Sequence, residues 1–232
     1  MASDSAPPAV AILIPALNCH GSVGAVVAGA RQYVNEVLVV DDGSTDDTGA
    51  EARAAGALVV RHPAPGGKGA ALLTGMRALQ ARGVTHVLTM DADGQHLPAQ
   101  IPVLLAAAVR TPHALIIGAR HLDRVDAAPL KLFGNRFANR WVEIACGAAI
   151  PDTQSGFRVY PLAATLALPL RARHFAFETE VLIRAVRVGL PIESVLVDVY
   201  YPPPAERRSH FRPFVDTVRM IIVVLGLIFR VW

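Results

Sequence analysis

Two aspartates two residues apart follow an apolar run in HVLTMDADGQH, residues 86–96. Val87, Leu88 and Met90 lead into Asp91 and Asp93, and Gly94 then breaks the run. Two carboxylates this close repel each other unless a cation sits between them. Their oxygens suit a hard divalent ion, Mg²⁺ or Mn²⁺, which keeps several waters and commonly binds substrate phosphates. Gln95 and His96 are candidate additional ligands. The plain alternative is an acidic strand-end loop that caps the next helix, and two acids alone do not decide between these.

Two further stretches carry chemistry of their own. In VVDDGSTDDT, residues 39–48, an apolar strand ends in Asp41 and Asp42. Acids at such a strand end can accept hydrogen bonds from a nucleobase N–H or a ribose hydroxyl. Turn chemistry and a helix N-cap at Ser44 or Thr45 account for Gly43 to Asp46, but not for Asp41 at the end of an apolar run. In PGGKGAALLTG, residues 65–75, glycines and Lys68 open a helix. That favours an anion or a close backbone approach to a ligand. The spacing is not that of a P-loop, and a flexible turn is the plain alternative.

The elements that must position these residues alternate regularly. Strands are predicted over 10–15, 36–42, 57–62, 85–91 and 114–120, and helices over 21–34, 44–56, 67–83 and 98–110. In the last of these helices Ile101, Leu104, Leu105 and Ala108 share one face. This alternation predicts an α/β fold: a doubly wound, mostly parallel sheet with helices on both faces. Ligands of such sheets bind beyond the carboxyl ends of the strands. Pro15–Asn18, Asp41–Asp42, His62 and Asp91–Asp93 all fall there. The second half is less regular. A helix is expected over 130–147, a polar turn and short strand over 152–160, a helix over 175–189 and a strand over 193–201. Three prolines make 202–213 a loop. There is no internal repeat and no low-complexity segment, so one domain with an elaborated second half is expected.

Composition narrows the function classes. The 232 residues are 53% hydrophobic and 18% charged, with a net charge of +3. The arginines are spread out, which argues against nucleic acid as a partner. Cys19 and Cys146 stand in no ligand or redox motif and read as reduced cytoplasmic thiols. The first residues, MASDSAPPA, have neither the basic nor the apolar region of a signal peptide, and 1–8 are expected to be disordered. No stretch reaches the ~18–20 apolar residues of a membrane span.

Eight stretches occur in order: ILIPALN, VLVVDDGSTDDT, GGKGAALLTGM, TMDADGQHLP, GAR, FGNRFAN, DTQSGFRVY and FETEVLIRA. Together they resemble glycosyltransferase family 2, in the branch of dolichyl- and polyprenyl-phosphate sugar synthases, over residues 9–210. The resemblance implies a GT-A fold, a nucleotide-sugar donor (a UDP- or GDP-sugar), a divalent metal on its diphosphate, and inversion at the anomeric carbon. It implies that Pro15, Ala16, Leu17, Asn18, Asp41 and Asp42 border the nucleoside, with Lys68, Asp91, Ala92 and Asp93 completing the donor site. Asp91, Asp93 and Gln95 would hold Mg²⁺ or Mn²⁺. Arg120 and Arg136 match family arginines that face phosphates, a task suited to their planar, permanently charged forks. Leu17 and Cys19 stand where the family carries a tyrosine and a glutamate, and Ser209-His210 stands where it carries Ser-Lys.

A nucleoside diphosphate leaving group needs a metal and cationic donors as its charge develops. Asp93, Arg120, Arg136 and Arg207 or Arg208 are the candidates, with Glu178, Arg207, Arg208 and Ser209 toward the acceptor. A lipid-phosphate acceptor such as polyprenyl phosphate is already ionised and needs no strong base. A hydroxyl acceptor, on a non-prenyl lipid or pigment, would need one within hydrogen-bond reach. Asp152 is the candidate base, with an Asx-turn residue as the plain alternative. Glu180 is read as an acid favoured by the helix dipole. A non-catalytic nucleotide-sugar binder is the rival class. A nucleotidyltransferase would be expected to carry a Gly-rich turn after the first strand, where this chain has PALNCHGS.

The tail is expected to form an apolar helix over 211–232, too short to span a ~30 Å hydrocarbon core at ~1.5 Å per residue. It could lie in the membrane interface, with Phe211, Phe214 and Trp232 at headgroup depth. That would put the protein on the inner face of the cell membrane as a peripheral protein. A core helix or a homodimer contact is the alternative.

Overall fold

A computed structural model of the chain describes residues 8–121, 142, 143, 147, 150–201 and 213–229. Its first half is a run of alternating elements: β1 (Val10–Ala16), α1 (Val23–Arg31), β2 (Val37–Asp41), α2 (Thr48–Ala54), β3 (Leu58–Arg61), α3 (Lys68–Gln80), β4 (His86–Thr89), α4 (Ile101–Arg110) and β5 (Leu115–Arg120). The second half adds β6 (Arg158–Pro161), α5 (Leu162–Leu166), α6 (Ala176–Arg187), β7 (Ile192–Val197) and α7 (Pro213–Ile228). The seven strands form one sheet in the order β3-β2-β1-β4-β6-β5-β7.

The first four strands are parallel to one another, and β5 is parallel to β7. Successive side chains of a strand point to opposite faces, and β1 divides accordingly. Ala11 and Leu13 join the core under α3 and α6, while Ile12 and Ile14 join the core under α1 and α4. All of β2 is buried, as a parallel strand covered on both faces must be. The doubly wound α/β expectation is met. One strand departs from it: β6 runs antiparallel to both β4 and β5. Chain direction brings the ends of β1, β2 and β4 to one rim. Strand order reverses between β1 and β4, with β2 on the other side of β1, and this is the switch point where such sheets open a crevice.

Two local expectations are corrected. The second helix begins at Thr48, and neither Ser44 nor Thr45 caps it. Their polar groups are engaged with another loop. In α4 the buried face is Ile101, Leu104, Ala107 and Ala108, with Leu105 only partly buried.

The apolar tail forms α7, which packs against α6. Val223, Val224 and Leu227 are buried, whereas Ile221, Ile222, Leu225 and Phe229 are exposed. A run of apolar residues thus becomes a two-sided helix. Among the described residues no helix is long and apolar enough to cross a membrane. Phe211 and Trp232 lie outside the described residues, as does the side chain of Phe214.

Candidate active site

The rim is built first from backbone amides. Asn18 N–H donates to Ser44 Oγ (2.9 Å), Cys19 N–H to Thr48 Oγ1 (2.7 Å), His20 N–H to Asp46 Oδ2 (3.2 Å) and Gly21 N–H to Glu51 Oε2 (2.6 Å). Glu51 Oε1 also accepts from Gly24 N–H at 2.8 Å, satisfying an otherwise orphaned donor in the first turn of α1. In return, Asn18, at φ 49°, accepts from Thr45 N–H through Oδ1 (2.9 Å). Ser22 Oγ donates to Ala92 O at 2.8 Å. The loops after β1, β2 and β4 are therefore laced into one surface. The Ser/Thr/Asp richness of residues 44–48 serves that lacing. Pro15 and Ala16 close β1 opposite Val40 and Asp41.

Asp41 and Asp42 differ in their engagement. Asp41 Oδ1 accepts from Ser44 N–H (2.8 Å), and Arg61 Nη1 stands 3.5 Å from Oδ2. Asp42 accepts from Gly66 N–H (2.9 Å) and Gly67 N–H (2.7 Å), and its Oδ1 lies 2.6 Å from His62 Nδ1. Asp42 is thus the clasp of the glycine-rich loop. Gly67 has φ 95°, and a Cβ there would stand 2.2 Å from His174 Nδ1. Close approach to residues 173–174 therefore explains this glycine, and the amides of Gly66 and Gly67 are spent on Asp42.

Beyond β4 lies a cluster of buried charge. Lys68 Nζ is 2.7 Å from Asp91 Oδ1 and 3.1 Å from Glu178 Oε1, and sits 5.7 Å from the Phe175 ring centre. Burial works against the charge on Asp91, but Lys68 and then His96 overcome it and hold the carboxyl below its usual range. The Lys68 ammonium is held well above its usual range by Asp91 and Glu178, against the cost of burial. His96 stacks on Phe157 with ring centres 4.9 Å apart, and its Nδ1 accepts from Asp91 N–H at 3.0 Å. Burial pushes its pKa down to about 4, so the ring is neutral at pH 7.

Asp93 has the opposite bias. Burial and then the neighbouring Asp91 carboxylate raise its pKa, the expected sign for like charges with no ion between them. Gln95 turns to it, donating from its backbone N–H (3.0 Å) and its side-chain amide (2.8 Å). Among the described residues no group of three or more His, Cys, Asp or Glu forms a ready metal cage. Two carboxylates and a carboxamide oxygen still fit a hard ion that completes its shell with water and ligand oxygens.

On the far wall, Asp152 and Arg120 form a bidentate pair. Arg120 Nε donates to Oδ2 (2.6 Å), Nη2 to Oδ1 (2.7 Å), and the Arg120 backbone N–H also to Oδ2 (3.0 Å). Asp152 is 1% exposed and has φ 48°.

These features have counterparts among known proteins. Residues 11–160 match the profile of glycosyl transferase family 2. The chain belongs to that family. It is 33% identical over 199 residues to the undecaprenyl-phosphate mannosyltransferase of Micrococcus luteus, covering 80% of this chain and 81% of the relative. It is 30% identical over 198 residues to the polyprenol monophosphomannose synthase of Mycolicibacterium smegmatis, covering 79% and 74%. Its fold matches glucosyl-3-phosphoglycerate synthase from Mycobacterium tuberculosis, solved with Mn²⁺, UDP-glucose and phosphoglyceric acid. That match has a TM-score of 0.74 and 23% identity, over 95% of this chain and 80% of the other. The expectation of a glycosyltransferase with a GT-A fold is therefore met.

In this glycosyltransferase, Asp91, Asp93, Gln95, Lys68 and Glu178 come together at the rim. Asp41, Asp42, Asn18 and Ala92 shape the rim beside them. Arg120 and Asp152, expected in separate roles, hold each other. Arg136, Arg207, Arg208 and Ser209 lie outside the described residues. One residue of the site, Arg158, has no counterpart among the sequence expectations. Arg158 is fully buried and donates to the carbonyls of Ser155 (2.7 Å), Thr153 (2.7 Å) and Glu178 (2.9 Å). It ties the loop before β6 to the first turn of α6. Its only sequence signal is a lone arginine entering a strand in SGFRVY. The reading of Glu180 as a dipole-favoured acid is incomplete. Glu180 Oε2 accepts from the amides of Arg171 (2.9 Å) and Ala172 (2.7 Å), and Oε1 from Arg184 Nε (2.7 Å). It holds the loop that meets Gly67.

Proposed function

We propose that this glycosyltransferase moves a sugar from a nucleotide-sugar donor, a UDP- or GDP-sugar, to a lipid-linked phosphate acceptor such as polyprenyl phosphate. The transfer inverts the anomeric centre and depends on Mg²⁺ or Mn²⁺. The observation that carries this reading is the placement of Asp91 and Asp93 at the switch point, beside the buried Lys68 ammonium. Asp91, Asp93 and the Gln95 carboxamide would hold the ion. When bound, it would neutralise charge developing on the departing diphosphate. Pro15 to Asn18, Asp41 and Asp42 border the nucleoside. Lys68 lies close enough to the acid pair to meet a phosphate oxygen, and Arg120 with Arg136, Arg207 and Arg208 supplies further positive charge. Glu178 and Ser209 complete the acceptor side.

The Asp152–Arg120 pair favours a phosphate acceptor over a hydroxyl. A carboxylate that receives two guanidinium bonds is a poor general base, and an ionised lipid phosphate does not require one. The names of the two bacterial relatives carry the same acceptor chemistry. We read the exposed side of α7, with Ile221, Ile222, Leu225 and Phe229, as the face that meets the inner leaflet of the cell membrane. There the protein acts as a peripheral protein, reaching an acceptor headgroup at the surface.

The test is transfer from radiolabelled UDP- and GDP-hexoses to polyprenyl phosphate, with and without EDTA, alongside co-sedimentation with anionic liposomes. Chelator-sensitive formation of a lipid-linked sugar is the expected result. Transfer that survives EDTA overturns the metal assignment, and transfer only to a soluble acceptor overturns the lipid one. Protein that stays in the supernatant at low salt overturns the membrane reading, and a dimer lost on Ile222→Glu would assign the α7 face to a second copy.

A further inference from the structure

Lys68 opens α3, yet its side chain is enclosed. Nζ touches Asp91 from the end of β4 (2.7 Å) and Glu178 from the first turn of α6 (3.1 Å), beneath the Phe175 ring. A Cβ on Gly156 would stand 2.8 Å from that Nζ, 3.0 Å from Asp91 Oδ2 and 3.0 Å from Glu178 Oε1. A side chain there would press on the ends of all three charged groups, and glycine lets them meet undisturbed. The two carboxylates are not equivalent. The Asp91 side chain is 31% exposed and forms the acid pair with Asp93, whereas the Glu178 side chain is 8% exposed. Glu178 Oε1 is buried and, among the described residues, has no hydrogen-bond partner beyond the ion pair. An ion arriving from the crevice reaches Asp91 and finds it already occupied by an ammonium.

We propose that Lys68 is a resident cation at the acid pair, shared between Asp91 and Glu178, which yields Asp91 to an incoming divalent ion while Glu178 keeps it in place. This rests on the metal-dependent reading above. An ammonium and a divalent ion on one carboxylate repel each other, so the ion alone must displace Lys68 and leaves it with Glu178 only. A nucleoside diphosphate arriving with the ion offers Lys68 new oxygens in place of Asp91. Lys68 thereby makes ion binding and nucleotide binding favour each other, and such coupling is reciprocal. Glu178 is a positioning residue in this arrangement, acting through Lys68.

The test is Mn²⁺ binding to the full chain, followed by loss of the free-ion electron paramagnetic resonance signal, without nucleotide and with saturating UDP or GDP. Wild type is expected to bind Mn²⁺ weakly alone and more tightly with nucleotide. Lys68→Met should tighten nucleotide-free binding by about tenfold and shrink the gain that nucleotide brings. Glu178→Gln should weaken nucleotide-dependent Mn²⁺ binding, because Lys68 then clings to Asp91. The double variant Lys68→Met/Glu178→Gln keeps the buried charge balanced, so it remains informative if Lys68→Met alone fails to fold. It should behave as Lys68→Met. If wild type binds Mn²⁺ with nucleotide but nucleotide-free affinity is unchanged without Lys68, the inference is overturned and the metal reading stands. If wild type binds no Mn²⁺ with either nucleotide, both fall.

Discussion

The two walls of the site are held by different forces. The wall formed by the loops after β1 and β2 is laced by amide-to-side-chain hydrogen bonds, from Asn18, Cys19, His20 and Gly21 to Ser44, Thr48, Asp46 and Glu51. The wall formed by the end of β4, the loop before β6 and the start of α6 is held by buried charge: Lys68 with Asp91 and Glu178, Arg120 with Asp152, and Arg158 on three carbonyls. Each bond of the first kind contributes about 1 kcal/mol, whereas removing one partner of a buried charged contact costs about 3–5 kcal/mol. The first wall should therefore tolerate single losses, and the second should not.

The largest effect is expected where the charged wall meets the ligand. Asp93→Ala should lower transfer by about a thousandfold, several kcal/mol of lost charge stabilisation, and abolish the effect of Mn²⁺ on nucleotide binding. Steady-state kinetics and a thermal-shift titration check both. Unchanged turnover in this variant would remove the distinction between the walls at its most important point. Next comes Arg158→Met, which leaves three carbonyls without their donor and should cost about 3–5 kcal/mol in urea unfolding. Arg158→Lys should recover only part of this, because an ammonium cannot reproduce the guanidinium fork.

The third prediction is a pH dependence. His96 has its pKa lowered to about 4 by burial, so between pH 4 and 6.5 the unfolded chain binds a proton that the folded chain refuses. Stability is then complete above about pH 6.5 and falls as pH drops toward 4, by roughly 2–3 kcal/mol. The lowered Asp91 carboxyl adds a further loss at lower pH still. Thermal melts of wild type and His96→Gln across this range check it, and the variant should lose the upper limb of the curve. The smallest effect belongs to the laced wall. Glu51→Ala frees the amides of Gly21 and Gly24 and should cost about 1 kcal/mol, as loss of a helix cap does. A loss as large as that of Arg158→Met would overturn the comparison.

The laced wall was also the more legible one. Its motifs are short and each follows a strand of the regular β/α alternation, so Asp41–Asp42 could be assigned to the rim from order alone, as could Asp91–Asp93 where the charged wall begins. Local pattern misled in detail. Ser44 looked like a helix cap because a cap and a loop tie use the same residue type, and the glycines around Lys68 looked like an anion cradle because close packing against His174 leaves no local mark. Beyond that acid pair the charged wall was largely hidden. Asp152 looked like a base because its partner, Arg120, is 32 positions away. The antiparallel course of β6 follows from pairing with β4 and β5, which no window of sequence contains. Arg158 read as one more charge, because its burial is a property of the assembled layers.

The lacing of residues 18–21 also bears on how this loop can change over time. What is gripped there is mostly the peptide backbone, by side chains of the neighbouring stretch 44–51; from the loop itself the Asn18 carboxamide, Ser22 Oγ on Cys19 O, Cys19 Sγ on Leu17 O and the His20 ring on Glu51 add to the grip. The loop's shape therefore depends little on its own lettering at position 17, and at position 19 only through the contact of Cys19 Sγ with Leu17 O. Leucine and cysteine can stand where the family writes tyrosine and glutamate without the wall losing its form. Selection can thus alter side chains along this rim while the frame stays fixed.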